Sequence, residues 1–250
     1  MASQRPVFIQ PQASSSSSIS TSNSMLPSSS SSRASRPKNQ TGMSAHDRAK
    51  KLSKALSYIL RHGAIKEGFD IRSDGFVKVS DLLANSRFTG YTFEEVQAVV
   101  RDNDKQRFTL MEEQADDGQV IHWIKANQGQ SIELEDLDLQ IIHSAEDLPV
   151  AVHGTFNSKW PMIAKSGLKR MARTHIHMSP GLLGQDGVIS GMRKDCEVYI
   201  YINVAAAMKD GIVFEKSPNN VILSRGLDGV IVPKYFERVV DEKGKVVPMP

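Results

Sequence analysis

Before Asp47 the chain carries no Asp or Glu, and its few cations there (Arg5, Arg33, Arg36 and Lys38) are scattered among the serine runs Ser14–Ser18 and Ser28–Ser32. Such a stretch cannot bury enough apolar surface to offset the entropy of ordering it. Residues 1–43 are therefore expected to be a disordered tail, and any fold must be built from residue 44 onward. The Ser- and Arg-rich, acid-free composition also matches an organellar transit peptide, although it shows little amphipathic periodicity. Nuclear or cytoplasmic residence and organellar targeting both stay open on this composition.

The rest of the 250 residues, in a chain 40% hydrophobic, can form a real core and suits two lobes better than one. The single Cys196 excludes an internal disulfide and a Cys-rich zinc site, so a reducing compartment is the default. No run approaches the ~18 apolar residues of a membrane span. A formal net charge of +3 says little by itself about nucleic acid.

Hydrophobic spacing changes character along the chain. Ser44-Ala45-His46-Asp47 offers a helix cap, and Leu52, Ala55, Leu56, Ile59 and Leu60 recur at helical spacing up to a stop at Gly63. Asp74-Gly75 marks a turn, Phe76–Val79 a short strand, and Ser80–Leu83 the start of a second helix. Thr92-Phe93-Glu94-Glu95 is a capping box opening a third helix with Val96, Val99 and Val100 on one face. Arg107–Met111 and Val120–Lys125 read as strands joined through Asp116-Asp117-Gly118. Three short helices and a hairpin predict a winged-helix-like lobe over residues 44–131. An acidic linker, 132–148, leads into a lobe over 149–250. There the short β-branched runs at Val150–Val152, Val198–Ile202, Val221–Leu223 and Val230–Val232 predict a mixed β structure with few helices, one of them Ser158–Ser166 stopped by Gly167. The fold class is α+β.

The residues that carry chemistry are cationic or imidazole. Arg61-His62 ends the first helix, Arg107 sits in Asn103-Asp104-Lys105-Gln106-Arg107-Phe108, and His153-Gly154-Thr155 and Arg173-Thr174-His175-Ile176-His177 lie in the second lobe. A site of this composition, poor in carboxylates, suits a substrate that already carries phosphate. Each part also has a plain reading. Two cations in a last turn complement the helix dipole, and a lone His153 or His175 can be a hydrogen-bonded structural histidine. His175-Ile176-His177 has no Cys or carboxylate partner nearby in sequence, which argues against a metal site. Lys105 reads as an exposed charge for an RNA backbone, and Arg193-Lys194 as a solvated pair. No GxGxxG or GxxxxGK[ST] loop is present, so a Rossmann or P-loop mode of nucleotide binding is not expected.

These blocks, with Leu52–His62, Ile189-Ser190-Gly191-Met192-Arg193 and Asn219-Asn220-Val221-Ile222-Leu223, resemble the NAD-dependent tRNA 2'-phosphotransferases from about Lys50 to about Tyr235. The resemblance implies a winged-helix-like lobe joined to an ADP-ribosyltransferase-like lobe, with a monomer working on tRNA or another RNA carrying an internal 2'-phosphate. NAD would be consumed as co-substrate. It implies a catalytic tetrad of Arg61, His62, Arg107 and Arg173, and an NAD site lined by His153, Gly154, Thr155, His177, Ser179 and Val221, with no metal. Arg61 and Arg107 would grip the phosphate, and Arg173 would neutralise charge building on phosphorus. His62 would protonate the departing 2'-oxygen or hold the phosphate. Gly154 would allow close approach of backbone to ligand, and Ile189–Arg193 would touch adenosine or phosphate.

The sequence departs from the family pattern at Gln130, where His is usual, and at Lys125, where Arg is frequent. Both departures predict altered RNA or phosphate contacts near that loop. Two other functions stay open: an ADP-ribosyltransferase that stops at an RNA-phosphate adduct, and a non-catalytic RNA-binding winged-helix protein.

Overall fold

The computed structural model describes residues 7–8 and 43–249. The rest of the expected tail lies outside the described residues. Val7–Phe8 form a short strand, β1, within the stretch expected to be disordered.

Helix α1 (Ala45–Tyr58) begins where Ser44 Oγ accepts the Asp47 N–H at 3.1 Å. Its apolar stripe places Leu52 and Leu56 at zero exposure. Gly63 is the last helical residue, as predicted, but the helix does not end on an α-helical turn. Ile59–Gly63 form a π-helical turn, closed by Ala64 N–H donating to Ile59 O at 3.0 Å. Gly63 lies under the Tyr58 ring, where a Cβ would meet Tyr58 Cε1 at 2.7 Å. The widened turn buries both Ile59 and Leu60 and carries Arg61 and His62.

Next come β2 (Val77–Lys78), α2 (Val79–Ala84) and α3 (Phe93–Arg101). The strand expected over Phe76–Val79 is therefore only two residues long, because Val79 already belongs to the helix. α3 has the predicted reciprocal cap, with Glu95 N–H on Thr92 Oγ1 and Thr92 N–H on Glu95 Oε2. The hairpin β3 (Phe108–Gln114) and β4 (Val120–Ala126) turns through Gly118 at φ +82° and pairs Phe108 with Ala126 and Gln114 with Val120. The sheet order is β1-β3-β4-β2. One buried cluster, from Leu52 to Ile132, fills the space between helices and sheet.

The second half contains β5 (Gln140–Ile142), β6 (Val152–Thr155), α4 (Trp160–Ser166), β7 (Leu168–Lys169), β8 (Ile176–Met178) and β9 (Val198–Ile202). It continues with α5 (Val204–Lys209), β10 (Phe214–Lys216), β11 (Ile222–Ser224), β12 (Val230–Ile231) and β13 (Phe236–Asp241). β5 falls inside the stretch read as linker, yet pairs with β10 as the edge of a four-stranded sheet ordered β5-β10-β11-β8. The other sheets are β13-β9-β6 and β12-β7. Every strand pair among the described residues is antiparallel, so the lobe is not mixed in strand direction. Parallel neighbours need crossover connections of about a dozen residues or more, usually through a helix, and α4 and α5 are seven and six residues long. A second buried cluster runs from Ile142 to Val239.

The two larger sheets touch where Val152 and Ser179 exchange N–H···O bonds of 2.9 Å. That bridge sets β6 beside β8, and with them the imidazoles they carry.

α4 ends at Gly167 as predicted, with φ +82°; a Cβ there would lie 2.5 Å from Ile231 O. Gly118 has the same φ but open surroundings. Gly118→Ala should cost about 1 kcal/mol for the left-handed backbone alone, and Gly167→Ala roughly 2–4 kcal/mol because backbone must also move. Urea unfolding of the two variants checks this, and equal losses would contradict it.

Candidate active site

Each expected cation is held by an element with a reason to place it there. The π-turn swings Arg61 inward, where Nε and Nη2 are buried without a protein partner. Gly129, at φ +92°, lies flat against its guanidinium: a Cβ there would be 3.3 Å from Arg61 Nε. Ser131 N–H donates to Arg61 O at 2.8 Å, which ties the turn to the loop after β4.

Arg107 is oriented by Asn103. The Asn103 Oδ1 accepts from Arg107 Nη1 at 3.0 Å, from its backbone N–H at 3.3 Å and from Lys105 N–H at 3.2 Å. Arg173 is placed by Thr174, whose N–H and Oγ1 both donate to Gln130 O, at 3.0 and 3.2 Å. Among the described residues none of the three arginines is in an ion pair.

Their proximity appears in the titration of Arg61, which burial, then Arg107, then Arg173 push down to about 10. Burial, then Arg193, lowers Arg173 as well. His62 is held below the ordinary imidazole value by desolvation, then by Arg61 and Arg173. Arg61 and His62, Arg107, and Arg173, from three separate segments, thus share one cationic field.

The imidazoles adjoin it. His153 Nδ1 donates to His177 O at 2.8 Å, leaving Nε2 available. His177 Nδ1 donates to His175 O at 3.0 Å, and its buried Nε2 has no protein partner. Burial, followed by Arg173, pushes His177 down to about 3, so its ring is neutral. His153 is lowered by burial, with Arg173 adding to it.

The other expected ligand contacts are placed less directly. Gly154 has a packing reason to lack a side chain, since a Cβ would meet Cys196 Sγ at 2.7 Å. Thr155 is buried next to it in β6. Ser179 Oγ donates to Ser190 O at 3.3 Å, and Val221 is fully buried just before β11. In the Ile189–Arg193 loop, the Met192 carbonyl serves a protein contact.

Three readings from sequence are corrected. Lys105 is half-buried, not a solvated charge: its Nζ donates to Met192 O at 3.3 Å and its carbonyl accepts from Asn219 Nδ2 at 3.0 Å, clamping the Arg107 loop across the two halves. Lys125 is buried with Nζ over the Phe76 ring at 4.7 Å and 3.9 Å from Asp138, so it serves packing on the far face of β4. Gln130 is buried as well, and its amide donates to Ala126 O at 2.7 Å, so the side chain braces the loop. Arg193 and Lys194 are both exposed, as read from sequence, with Arg193 5.7 Å from the Phe156 ring centroid and Lys194 4.0 Å from Asp104.

Sequence reasoning missed Ser131. Its Oγ lies 2.9 Å from His62 Nδ1 and donates to Arg61 O at 3.4 Å. With that donor assignment the hydroxyl accepts from Nδ1–H, and Nε2 carries the lone pair. The only signal in the chain was a serine at the end of a Gly-containing loop.

A sequence profile described as "RNA 2'-phosphotransferase, Tpt1 / KptA family" matches residues 47–226, a span holding every residue of this site. The chain belongs to that family. Among its relatives, tRNA 2'-phosphotransferase 1 of Danio rerio is 49% identical over 191 residues, 75% of this chain and 84% of that protein. The Homo sapiens protein of the same name is 46% identical, over 83% of this chain and 79% of its own length. The tRNA 2'-phosphotransferase of Saccharomyces cerevisiae is 38% identical, over 73% and 81%. The match ends at Gly226, after Val221, the last of the expected site residues in the chain.

Two outcomes are expected of this family member. Ser131→Ala should convert His62 from one Nδ1–H tautomer to a mixture, read from imidazole ¹⁵N shifts; unchanged populations would show that Ser131 does not orient the ring. A histidine whose folded pKa is depressed is protonated mainly in the unfolded state between the two values, so its stability contribution is present above about 6.5 and is lost as pH falls. Between pH 6.5 and 5 His177 should remove about 2 kcal/mol at ~1.4 kcal/mol per unit. Urea unfolding at both pH values should show a shallower loss in His177→Asn, and parallel losses would refute this origin.

Proposed function

We propose that this chain removes the splice-junction 2'-phosphate of ligated tRNA by transferring it to NAD, leaving a 2'-hydroxyl and releasing nicotinamide and ADP-ribose 1'',2''-cyclic phosphate. The observation that carries the reading is the buried Arg61 guanidinium, with donors unmatched by the protein and within Coulombic reach of Arg107 and Arg173. Guanidinium groups remain charged and present a planar fork of donors to phosphate oxygens. Its relatives' names supply the phosphate's position on RNA.

In this reading residues 44–131 form a winged-helix-like lobe for RNA, 149–250 an ADP-ribosyltransferase-like lobe for NAD, and 132–148 join them in a monomer. A dinucleotide fits what the second lobe offers. The buried neutral Nε2 of His177 and the Nε2 of His153 supply acceptors for ribose hydroxyls. Gly154 and Thr155 continue that wall, while Ser179 and Val221 close it at the end of β8.

An oxygen of the RNA 2'-phosphate attacks the anomeric carbon of the nicotinamide ribose, and the electron pair of the broken C–N bond leaves with nicotinamide. Arg61 and Arg107 hold the phosphate for this step. An anionic phosphate needs no base, and Val221 stands where many ADP-ribosyltransferases place a glutamate against that ribose; the apolar side chain leaves the 2''-hydroxyl free. That hydroxyl then attacks phosphorus and releases its proton to solvent, the P–O bond to RNA breaks, and the RNA oxygen takes a proton. Arg173 neutralises the charge building on phosphorus. His62, neutral before an anion arrives, acquires a proton in the phosphate's field and delivers it to the departing oxygen.

Incubation with a 2'-phosphorylated oligoribonucleotide and NAD tests the whole reading. Dephosphorylated RNA with the cyclic phosphate supports it; a persistent RNA adduct indicates a phosphate ADP-ribosyltransferase, and unconsumed NAD a non-catalytic RNA binder. Arg173→Ala should slow the second step by roughly 10²–10³ and accumulate the adduct; equal loss of both steps would move Arg173 to the grip. Val221→Glu should abolish dephosphorylation, and an intact reaction would remove the argument from Val221.

A further inference from the structure

A groove of about 770 Å³ runs between α1 and α3 and ends at Asn103 and Arg107. One wall is a stripe of α1 at helical spacing: Lys50, Ser53, Lys54 and Ser57 all line it. The groove's far end is lined by Arg107, assigned above to the phosphate, and Arg61 follows Ser57 by one turn in sequence without itself lining the groove. Lys51, one residue away in sequence, is exposed and does not line it.

The charges in the groove are unevenly committed. Arg48 pairs with Glu95, and Asp102 with Arg101. Asp104 is 4.0 Å from Lys194. The lysines in ion pairs among the described residues are Lys125, Lys194 and Lys234, so Lys50 and Lys54 are uncommitted. At about 1.5 Å of rise per residue, Lys54 and Lys50 stand roughly 10 and 16 Å along the axis from Arg61. A phosphate held at Arg61 is out of their reach. Phosphates of neighbouring nucleotides on the same strand are not.

We infer that this groove is the track for the RNA strand flanking the 2'-phosphate, with Lys50 and Lys54 neutralising backbone phosphates and Ser53 and Ser57 hydrogen-bonding to the sugar-phosphate chain. The inference rests on the reading of the site as an RNA phosphotransferase and adds where the rest of the substrate lies. Contacts of this kind carry no sequence preference, which suits recognition of a junction by its modification. They do make binding depend on strand length and on salt.

The test compares the full chain with Lys50→Gln/Lys54→Gln, using Lys51→Gln as control, on a 2'-phosphorylated dinucleotide and on a 2'-phosphorylated oligonucleotide long enough to span the groove. The double variant should raise KM for the oligonucleotide roughly tenfold more than for the dinucleotide, and lower the salt slope of oligonucleotide binding by about 1.4 for two lost single-strand contacts. Lys51→Gln should change neither. Equal effects on both substrates, or an unchanged salt slope, would overturn the groove assignment. Fluorescence anisotropy with the same oligonucleotide lacking its 2'-phosphate keeps the two claims separate. Affinity lost in the double variant supports the track even where turnover fails, and unchanged affinity rejects it even where turnover succeeds.

Discussion

The structure depends on keeping three like charges together without a carboxylate among them. Two unit charges a few ångströms apart at an effective dielectric of about 20 repel by a few kcal/mol, and Arg61 is largely removed from water as well. Burial first, then Arg107 and Arg173, push its titration down to about 10. Such a cluster persists only if its backbone is fixed by something other than ion pairing. Here that role falls to neutral groups: Asn103 Oδ1 for Arg107, Gln130 O for the segment after Arg173, and the Ser131 N–H on the Arg61 carbonyl. A carboxylate in any of these places would relieve the repulsion and compete with the phosphate.

Holding the cluster also requires the two halves of the chain to be held against each other. Arg61 and Arg107 belong to the first half, and Arg173 with its neighbouring imidazoles to the second. Three of the contacts between halves are hydrogen bonds close to the site: Thr174 on Gln130, Asn219 on Lys105, and Lys105 on Met192. Each engages a main-chain carbonyl. Main-chain partners make the geometry depend on where the loops run, so the Gln130 carbonyl anchors Thr174 whatever side chain stands at that position.

Short-range chemistry was legible in the sequence. The Ser44 and Thr92 caps, the Gly118 turn and the Gly167 stop need only neighbouring residues, and all appear where the residues implied. What depended on distant partners was not legible. The π-turn over Ile59–Gly63 is an exception, being local, yet nothing in the helical spacing announces it. Val150 and Ala151 fell outside β6 because the register with β9 starts at Val152. The burial of Lys105 and Lys125 could not be read from the chain, because a lysine's burial is decided by what folds over it. The arginines and histidines of the site were legible through the family's motifs, whereas Ser131 and Asn103, which orient them, carry no signature of their own.

This division has a physical cause that bears on how such a site tolerates change. A guanidinium binding phosphate has few substitutes, so its identity is fixed by chemistry and can be read from one chain. A residue that supplies a single acceptor to that guanidinium can be replaced by another acceptor, or by a carbonyl brought in by a shifted loop. The cationic groups therefore define what is bound, and the neutral shell around them defines how accurately it is held. In this protein the shell lies mostly in two loops, 103–107 and 128–131, the second packed against Arg61. Displacing either loop would separate charges whose value to a bound phosphate depends on acting from several directions at once.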